Sequence, residues 1–410
     1  MSGSGSELSG HIATSVATEA DRARTGVALR PEEPAGHSDE RDALGAEIRR
    51  LYGSSSDLLR RLEALIRRRL GVAPLSPGAP ILAAVTGAGI RLSVAMVATL
   101  LFGEWSGIPW GRWVVVVGWF AAVEGGTTWM GPADAPPRPR IERILEDWTA
   151  LLPTIVRESD LRDLMAFTRR WQRPLRAVSV GAAVVATMLA ASWVVAPSAL
   201  GALPPGSVVL LVWLLYDFGT NVVYWGHLYN RAFMAREARY DHDLFWPSPA
   251  DTPEVRKVMR KTTSQGSGAG WWITVFLAMT LVLVGWDSTL VLPLAVGFVV
   301  IGYLSTIGLA FSNRASVRKI IERSRHQRLA VLRRHIETYE ARIADLSSEE
   351  AAHLRDLLFL HDRVRDAPTT PAHAHTLMRT AAALIVPTIM FVVSVFGEVS
   401  AERMLDSLLP

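Results

Sequence analysis

Five polar side chains recur along one apolar stretch near the middle of the chain. They are Asp217, Thr220, Asn221, Tyr224 and His227. At 100° per residue, all five fall within about a third of the circumference of an α-helix. Ionisable and polar groups inside apolar helices either bind ions, protons or solutes, or hold neighbouring helices together. The spacing therefore predicts a polar stripe that is either a pathway or a buried structural network.

Arg91 and Glu124 are charged residues within two other apolar stretches. Arg91 has a predicted depth similar to that of Asp217. The two are expected to form an ion pair, unless Arg91 extends to the headgroups at the near end of its stretch. Glu124 lies about one helical turn from the end of its own stretch. It either forms part of the inner mouth of a pathway or faces the lipid headgroups.

Seven apolar runs are long enough to cross the hydrocarbon core of a bilayer, which takes about 20 residues. They cover residues 81–102, 108–128, 175–196, 207–229, 271–291, 292–311 and 380–396. The predicted fold class is all-α, a polytopic transmembrane helix bundle of about seven spans with a cytosolic helical subdomain.

Basic residues are concentrated on one side of the predicted membrane. Of the 43 lysines and arginines, 40 lie in or directly beside the N-terminal segment and the loops after the second, fourth and sixth spans. Because cytoplasmic loops carry the excess of basic residues, the N-terminus and these loops are predicted to be cytoplasmic and the C-terminus external. The expected location is the inner or plasma membrane, and the predominance of arginine over lysine favours a bacterial protein.

The predicted spans divide the chain into membrane and cytosolic segments. These are a disordered tail (1–42), cytosolic basic amphipathic helices (43–79), spans 1 and 2 (80–129), cytosolic helices (130–174), spans 3 and 4 (175–229), a cytosolic loop and helix (230–270), spans 5 and 6 (271–311), a cytosolic helical hairpin with a short coiled coil (312–379), span 7 (380–397) and an external tail (398–410). Residues 264–270, rich in glycine and serine, are predicted to be a flexible hinge.

Apolar side chains within the last cytosolic segment alternate at spacings of three and four residues, which is the pattern of a short coiled coil. They are Leu329, Leu332, Ile336, Tyr339, Ile343 and Leu346. This seam either packs within the chain or joins subunits or a partner. Ser347 and Glu350 fit a capping box, so a second helix is predicted to begin there.

Arg67, Arg68 and Arg69 end a basic amphipathic helix just before the first span. Arginines in this position lie at anionic lipid headgroups or on a solvated face that packs against other cytosolic helices. The sequence leaves both interpretations open.

The sequence has no cysteine and no HExxH, GxSxG or P-loop motif, so disulfides and the corresponding enzyme classes are excluded. No cofactor or metal site is predicted, and the chain is not expected to be an enzyme. The predicted function is an oligomeric ion channel or transport-like protein. The alternative is a non-conducting membrane scaffold or sensor that presents its cytosolic helices to a protein partner. The expected partners are the lipid bilayer and further copies of the chain, and no nucleic acid is expected.

The predicted layout of seven spans, an inside N-terminus, long cytosolic helical loops and a last span ending outside is similar in topology to that of insect chemoreceptor channels. In that family the last span lines a pore and the loops form an anchor domain that joins subunits. The resemblance implies an oligomeric channel. It rests on topology without a shared residue motif, so no residue role follows from it.

Overall fold

A computed structural model describes residues 35–53, 65–73, 76–103, 108–130, 139–245, 248–285 and 288–368. Within these ranges the chain is all-helical, and its extended pairing is limited to an isolated antiparallel bridge between Ile155 and His242. The all-α fold class is therefore confirmed for this part of the chain.

Twelve α-helices of the described ranges are numbered in chain order, and residues 65–69 form a further short helical segment without a number. They are α1 (Ala35–Gly53), α2 (Gly78–Phe102), α3 (Trp110–Met130), α4 (Pro139–Trp148), α5 (Glu158–Trp171), α6 (Pro174–Val195), α7 (Pro197–Gly201), α8 (Pro205–Asp217), α9 (Asn230–Glu237), α10 (Pro253–Val284), α11 (Val291–Glu340) and α12 (Ser348–Asp366). A π-helix, Phe218–Tyr229, joins α8 to α9 without a break. Prolines begin α6, α8 and α10, where the missing N–H costs no helical hydrogen bond.

Four helices are long and apolar enough to cross a membrane. They are α2, α6, α11 and the continuous stretch Pro205–Glu237, which contains α8, the π-helix and α9. The second predicted span corresponds to α3, and the fifth to the shorter apolar part of α10, Trp272–Val284. The seventh, 380–396, lies outside the described residues. The count of seven spans therefore stays a prediction.

The longest helix, α11, changes character along its length. It has 50 residues, which is about 75 Å at 1.5 Å per residue and more than twice a hydrocarbon core of about 30 Å. Large exposed residues of its first half, from Leu292 to Phe311, are apolar. The first charged residue of the helix, Arg314, follows three positions after Phe311. The helix therefore has one half suited to lipid and one half suited to water.

The apolar helices share one buried core. Near its centre Phe218 packs edge to face against two rings, with centroid distances of 5.4 Å to Phe276 and 4.8 Å to Phe298. At one end, α2 and α3 are both joined to the start of α8. Trp113 Nε1 of α3 donates to Ser207 Oγ at 2.9 Å, and the Gly206 N–H donates to the hydroxyl of α2 residue Thr99 at 3.0 Å. These bonds fix the three helices that carry the charged residues of the bundle.

The charged helices form a second region, called here the helical layer, which consists of α1, α4, α5, α9 and the charged halves of α10 and α11. Two clusters of buried apolar residues hold it together. One contains Met234, Val255, Val258, Val317, Ile320 and Ile321, and the other contains Ile48, Leu161, Leu164, Tyr229 and Phe233. Helix α9 contributes to both clusters and the end of the π-helix contributes Tyr229 to the second, so the layer is attached to the bundle through that stretch.

His242 joins the loop after α9 to the turn before α5. Its Nδ1 lies 2.8 Å from Thr154 Oγ1, and its Nε2 lies 3.0 Å from the Glu237 carbonyl oxygen. A neutral ring with hydrogen on Nε2 donates to the carbonyl, and its Nδ1 competes with the Leu151 carbonyl oxygen, 2.8 Å from Thr154 Oγ1, for the one hydroxyl hydrogen. Burial lowers the pKa of His242 to about 4, so the ring is neutral at neutral pH.

Two boundary predictions are corrected by the structure. Helix α1 begins at Ala35, within the predicted disordered tail, because its apolar residues Leu44 and Ile48 pack onto the helical layer. The predicted hinge at 264–270 is wrong, since α10 runs through it from Pro253 to Val284. Each glycine in a helix costs only about 1 kcal/mol relative to alanine, and helix on both sides of the run offsets that cost.

The hairpin predictions are confirmed at one point and corrected at another. Ser347 caps α12 as predicted: its Oγ accepts from the Glu350 N–H at 3.2 Å, and Glu350 Oε2 accepts from the Ser347 N–H at 2.9 Å. The predicted coiled-coil seam, however, is helical only as far as Glu340, where α11 ends. A 3-10 turn at Ile343–Asp345 breaks the periodicity that the seam requires.

Candidate functional site

The charged cluster of the bundle is formed by Arg91, Glu124 and Asp217, from α2, α3 and α8. Arg91 Nη2 lies 3.0 Å from Glu124 Oε1 and 3.3 Å from Asp217 Oδ2. Arg91 is fully buried and both carboxyl groups are buried. Since the two carboxylates contact the same nitrogen atom, the contacting oxygens lie within about 6 Å of each other. The structure thus brings together three charges that the sequence places in three separate spans.

Neighbouring side chains fix the guanidinium in this position. Its carbon atom lies 4.4 Å from the centroid of the Phe120 ring and 5.3 Å from that of Trp213, which are cation–π distances. Nη1 donates to the Gly87 carbonyl at 3.2 Å. A Cβ atom added to Gly87 would lie 2.6 Å from Glu124 Cγ and 3.3 Å from Arg91 Nη1. Any side chain at position 87 would therefore displace Glu124 or Arg91.

The five polar residues that the sequence placed in one stripe point toward different neighbours. Hydrogen bonds in a π-helix join residues five apart, so each residue rotates by less than the 100° of an α-helix. The π-helix begins directly after Asp217. All later positions of the predicted stripe are therefore out of phase with it.

Asp217 faces the cluster, and the next three members of the predicted stripe have separate surroundings. Thr220 donates to the Tyr216 carbonyl of its own helix at 3.0 Å, and its methyl group lies beside Gly181 of α6. Tyr224 donates to the Trp171 carbonyl of α5 at 2.6 Å. Asn221 is exposed on the outside of the bundle. A continuous polar lining formed by these side chains is thus absent from the described residues.

His227, the fifth member, contacts α11. Its Nε2 lies 3.0 Å from Thr306 Oγ1, and the same hydroxyl lies 2.8 Å from the Gly302 carbonyl oxygen. Nδ1 contacts the Val222 carbonyl, five residues earlier in the π-helix. The Thr306 hydroxyl has one hydrogen, so it either donates to Gly302 and accepts from His227 Nε2–H or donates to Nε2 itself. Two protonation arrangements therefore fit the same positions of these atoms.

No protein-family model, curated protein or solved structure matches this chain.

The predicted contact seam packs within the chain. Leu329 and Ile336 of α11 are buried, as are Leu354 and Val364 of α12, and Tyr339 lies against the His353 ring with a centroid distance of 5.7 Å. Leu332 and Leu346 are half-buried and Ile343 is exposed. The first part of the seam is thus used to close the α11–α12 hairpin.

The three arginines before the first span do not share one environment. Arg68 and Arg69 are exposed, in agreement with either a lipid-facing or a solvated position, but Arg67 is buried. Residues 65–69 are helical, so consecutive side chains point in different directions and cannot all reach the same headgroups.

Several residues of the site were missed at the sequence level. Gly87 and Phe120 shape the Arg91 position, and Thr306 is the partner of His227. The signal for Gly87 was its position one turn before Arg91, where a small residue leaves room for a long side chain. Thr306 had no comparable signal, since threonines in apolar helices usually bond to their own backbone.

Proposed function

We propose that this chain is a plasma-membrane protein of about seven spans, with its N-terminus and helical layer in the cytoplasm and its C-terminus outside. Three observations support this placement. Four helices have the length and apolar composition of spans. The exposed surface of α11 changes from apolar to charged after Phe311. Most basic residues belong to segments on one predicted side of the bilayer.

Within the bilayer, we propose that the protein transports protons or small monovalent cations, as an oligomeric channel or transport-like protein. The observation that carries this proposal is that Glu124 and Asp217 share one guanidinium, that of Arg91, inside the bundle. When both carboxyl groups are ionised, these three side chains have a net charge of −1. An excess charge in a medium of low dielectric constant is costly, and uptake of a proton or a monovalent cation by the carboxyl pair removes it.

A purely structural ion pair would require only one carboxylate beside Arg91. One carboxylate already neutralises one arginine, and the second carboxylate adds desolvation cost without adding charge balance. The cluster also joins α2, α3 and α8, so a change in its protonation changes the contacts between three helices. Coupling a bound cation to helix movement is what a transport cycle requires.

His227 and Thr306 extend the proposed route toward the helical layer. His227 follows Asp217 by ten positions in the same helical stretch, which is about 15 Å at most. Because the Val222 carbonyl can only accept, Nδ1 carries hydrogen and Nε2 is the atom that can take up a proton, after which the Thr306 hydroxyl donates to Gly302. The proton is for this reason the favoured substrate, with sodium and potassium ions as the alternatives.

The test is flux through liposomes that contain the purified protein, with internal dyes for protons, sodium and potassium. We expect dissipation of an imposed gradient by the wild type and a loss of at least tenfold in Asp217→Asn and Glu124→Gln, which keep the shape of each side chain and remove its charge. Ser192→Ala is the matched control, because this hydroxyl is also buried but donates to its own helix at Met188, 2.8 Å away. Wild-type liposomes that are silent under every gradient, or carboxyl variants with full flux, would contradict the proposal.

A non-conducting scaffold or sensor is the second candidate, and the α11–α12 hairpin favours it. Ile343, in the turn of the hairpin, and Phe359, in the second half of α12, are each 66% exposed. Such residues are typical of a surface that binds a protein. A photo-crosslinking amino acid at position 359 in cells would give an adduct with a second protein under this proposal. Leu101, exposed on the apolar face of α2, is the control position.

A further inference from the structure

Asn221 is a polar side chain on the outer surface of an apolar bundle. The residues around it in the π-helix, Thr220, Val222, Val223 and Tyr224, are all buried, whereas Asn221 is exposed. Its amide makes no hydrogen bond to any residue in the described part of the chain. Leu228, further along the helix, is 40% exposed and belongs to the same outer surface.

The position of Asn221 along the helix places it deep in the proposed bilayer. The next charged residue toward the helical layer is Arg231, ten positions later and exposed. At the α-helical rise of 1.5 Å per residue, this separation is at most about 15 Å along the axis, or up to half of a hydrocarbon core of about 30 Å. In the other direction, the helix continues for sixteen residues to Pro205. Asn221 therefore lies near the middle of the membrane and not at the headgroups.

Lipid tails offer no hydrogen-bond partner, so an amide at this depth favours contact with another polar group. A second copy of the chain supplies such a polar group, namely its own Asn221. A carboxamide has both donors and acceptors, so it can pair with its symmetry mate. The segment 380–396 of the same chain is the competing occupant. Its sequence contains only Thr380, Thr388 and Ser394 as polar residues, and hydroxyls in helices tend to bond to their own backbone.

We propose that Asn221 is the centre of a two-fold contact between two copies of this chain, in which the two carboxamides bond to each other within the bilayer. The contact rests on the bilayer placement proposed above but not on transport. The partly exposed rings and alkyl groups beside Asn221, from Trp225 and Leu228, pack around the amide pair. The proposal assigns the oligomer contact to the π-helix and not to the coiled-coil seam, which is used within the hairpin.

The absence of cysteine from the chain makes the contact directly testable. With Asn221→Cys in liposomes, we expect an oxidant to give a disulfide-linked dimer on non-reducing gels. Val300→Cys is the matched control, because Val300 is exposed on α11 at a comparable height in the bundle. It precedes Thr306 by six positions, just as Asn221 precedes His227 by six, and Thr306 and His227 are in contact. No cross-linked dimer is expected for this variant.

The energetic contribution of the amide is tested with one apolar variant and one variant that keeps a carboxamide. Asn221→Val is expected to lower the dimer association constant in liposomes about fivefold or more, measured by energy transfer between labelled copies, whereas Asn221→Gln retains most of it. An unchanged association constant in Asn221→Val would overturn the proposal. So would a disulfide formed within one chain between cysteines at 221 and 388. Extraction of the protein without detergent would overturn the bilayer placement and the contact together.

Discussion

Two guanidinium–carboxylate contacts in this chain have the same chemistry and different surroundings. Arg91 is completely enclosed by the bundle, where Glu124 and Asp217 share its guanidinium. Arg236 of the helical layer binds Asp163 through two nitrogen atoms, but these side chains are 30% and 43% exposed. Water can replace either partner of the second pair and neither partner of the first. The difference shows that the energetic weight of a charge contact depends on its surroundings more than on its distances.

The largest expected effect comes from removing the buried cation. Arg91→Met leaves two buried carboxylates without the cation they share and is expected to destabilise the fold by about 3–5 kcal/mol. Arg236→Met is expected to cost about 1 kcal/mol or less, because solvent screens the exposed partner. Unfolding of both variants in the same detergent gives the two values. Equal losses of unfolding free energy in the two variants would show that burial does not distinguish the two contacts.

The pH dependence extends the comparison to a buried group outside the apolar bundle. Burial lowers the pKa of His242 from 6.5 to about 4, so the unfolded chain takes up a proton at a higher pH than the folded chain. The stabilising contribution is complete above pH 6.5 and is lost as the pH falls toward 4, for a total of about 3 kcal/mol. Subtracting the pH profile of His242→Gln from that of the wild type isolates this step. The absence of a difference in slope between pH 6.5 and 4 would show that the ring is not protected from water.

The smallest expected effect tests the space beside Arg91. Gly87→Ala places a methyl group 2.6 Å from Glu124 Cγ, so the cluster must shift, at a cost of about 1–3 kcal/mol. Gly89→Ala, two positions later in the same helix, meets nothing within 4 Å and is expected to be neutral or slightly stabilising. Thermal unfolding of the two variants measures the difference. Equal stability would mean that the cluster is more loosely packed than its distances indicate.

The sequence predicted the identities of the charged residues in the bundle better than their arrangement. Arg91 and Asp217 stand out because charges are rare in apolar runs, and a similar predicted depth is enough to suggest a pair. Glu124 lies near the end of its run, where depth alone favours the headgroups. Only the packing of α2 against α3, with Gly87 at the contact, brings its carboxylate to Arg91.

The polar stripe and the coiled-coil seam were mispredicted for a common reason. Both predictions extend an α-helical period past a point where the backbone leaves it, at the π-helix after Asp217 and at the turn after Glu340. Neither point carries a proline or a run of glycines that would mark a break. Local propensity does not determine a π-helix, because its hydrogen bonds use the same backbone groups as those of an α-helix.

The length of α11 has a mechanical consequence. This unbroken helix of 50 residues begins at Val291, passes Thr306, the partner of His227, and ends at the hairpin formed with α12. About 50 Å of it extends beyond Thr306 at 1.5 Å per residue. A tilt of about 5° around that point moves the far end by about 4 Å. A displacement of the hairpin by a bound partner would therefore change the angle of α11 at Thr306, next to the His227 imidazole.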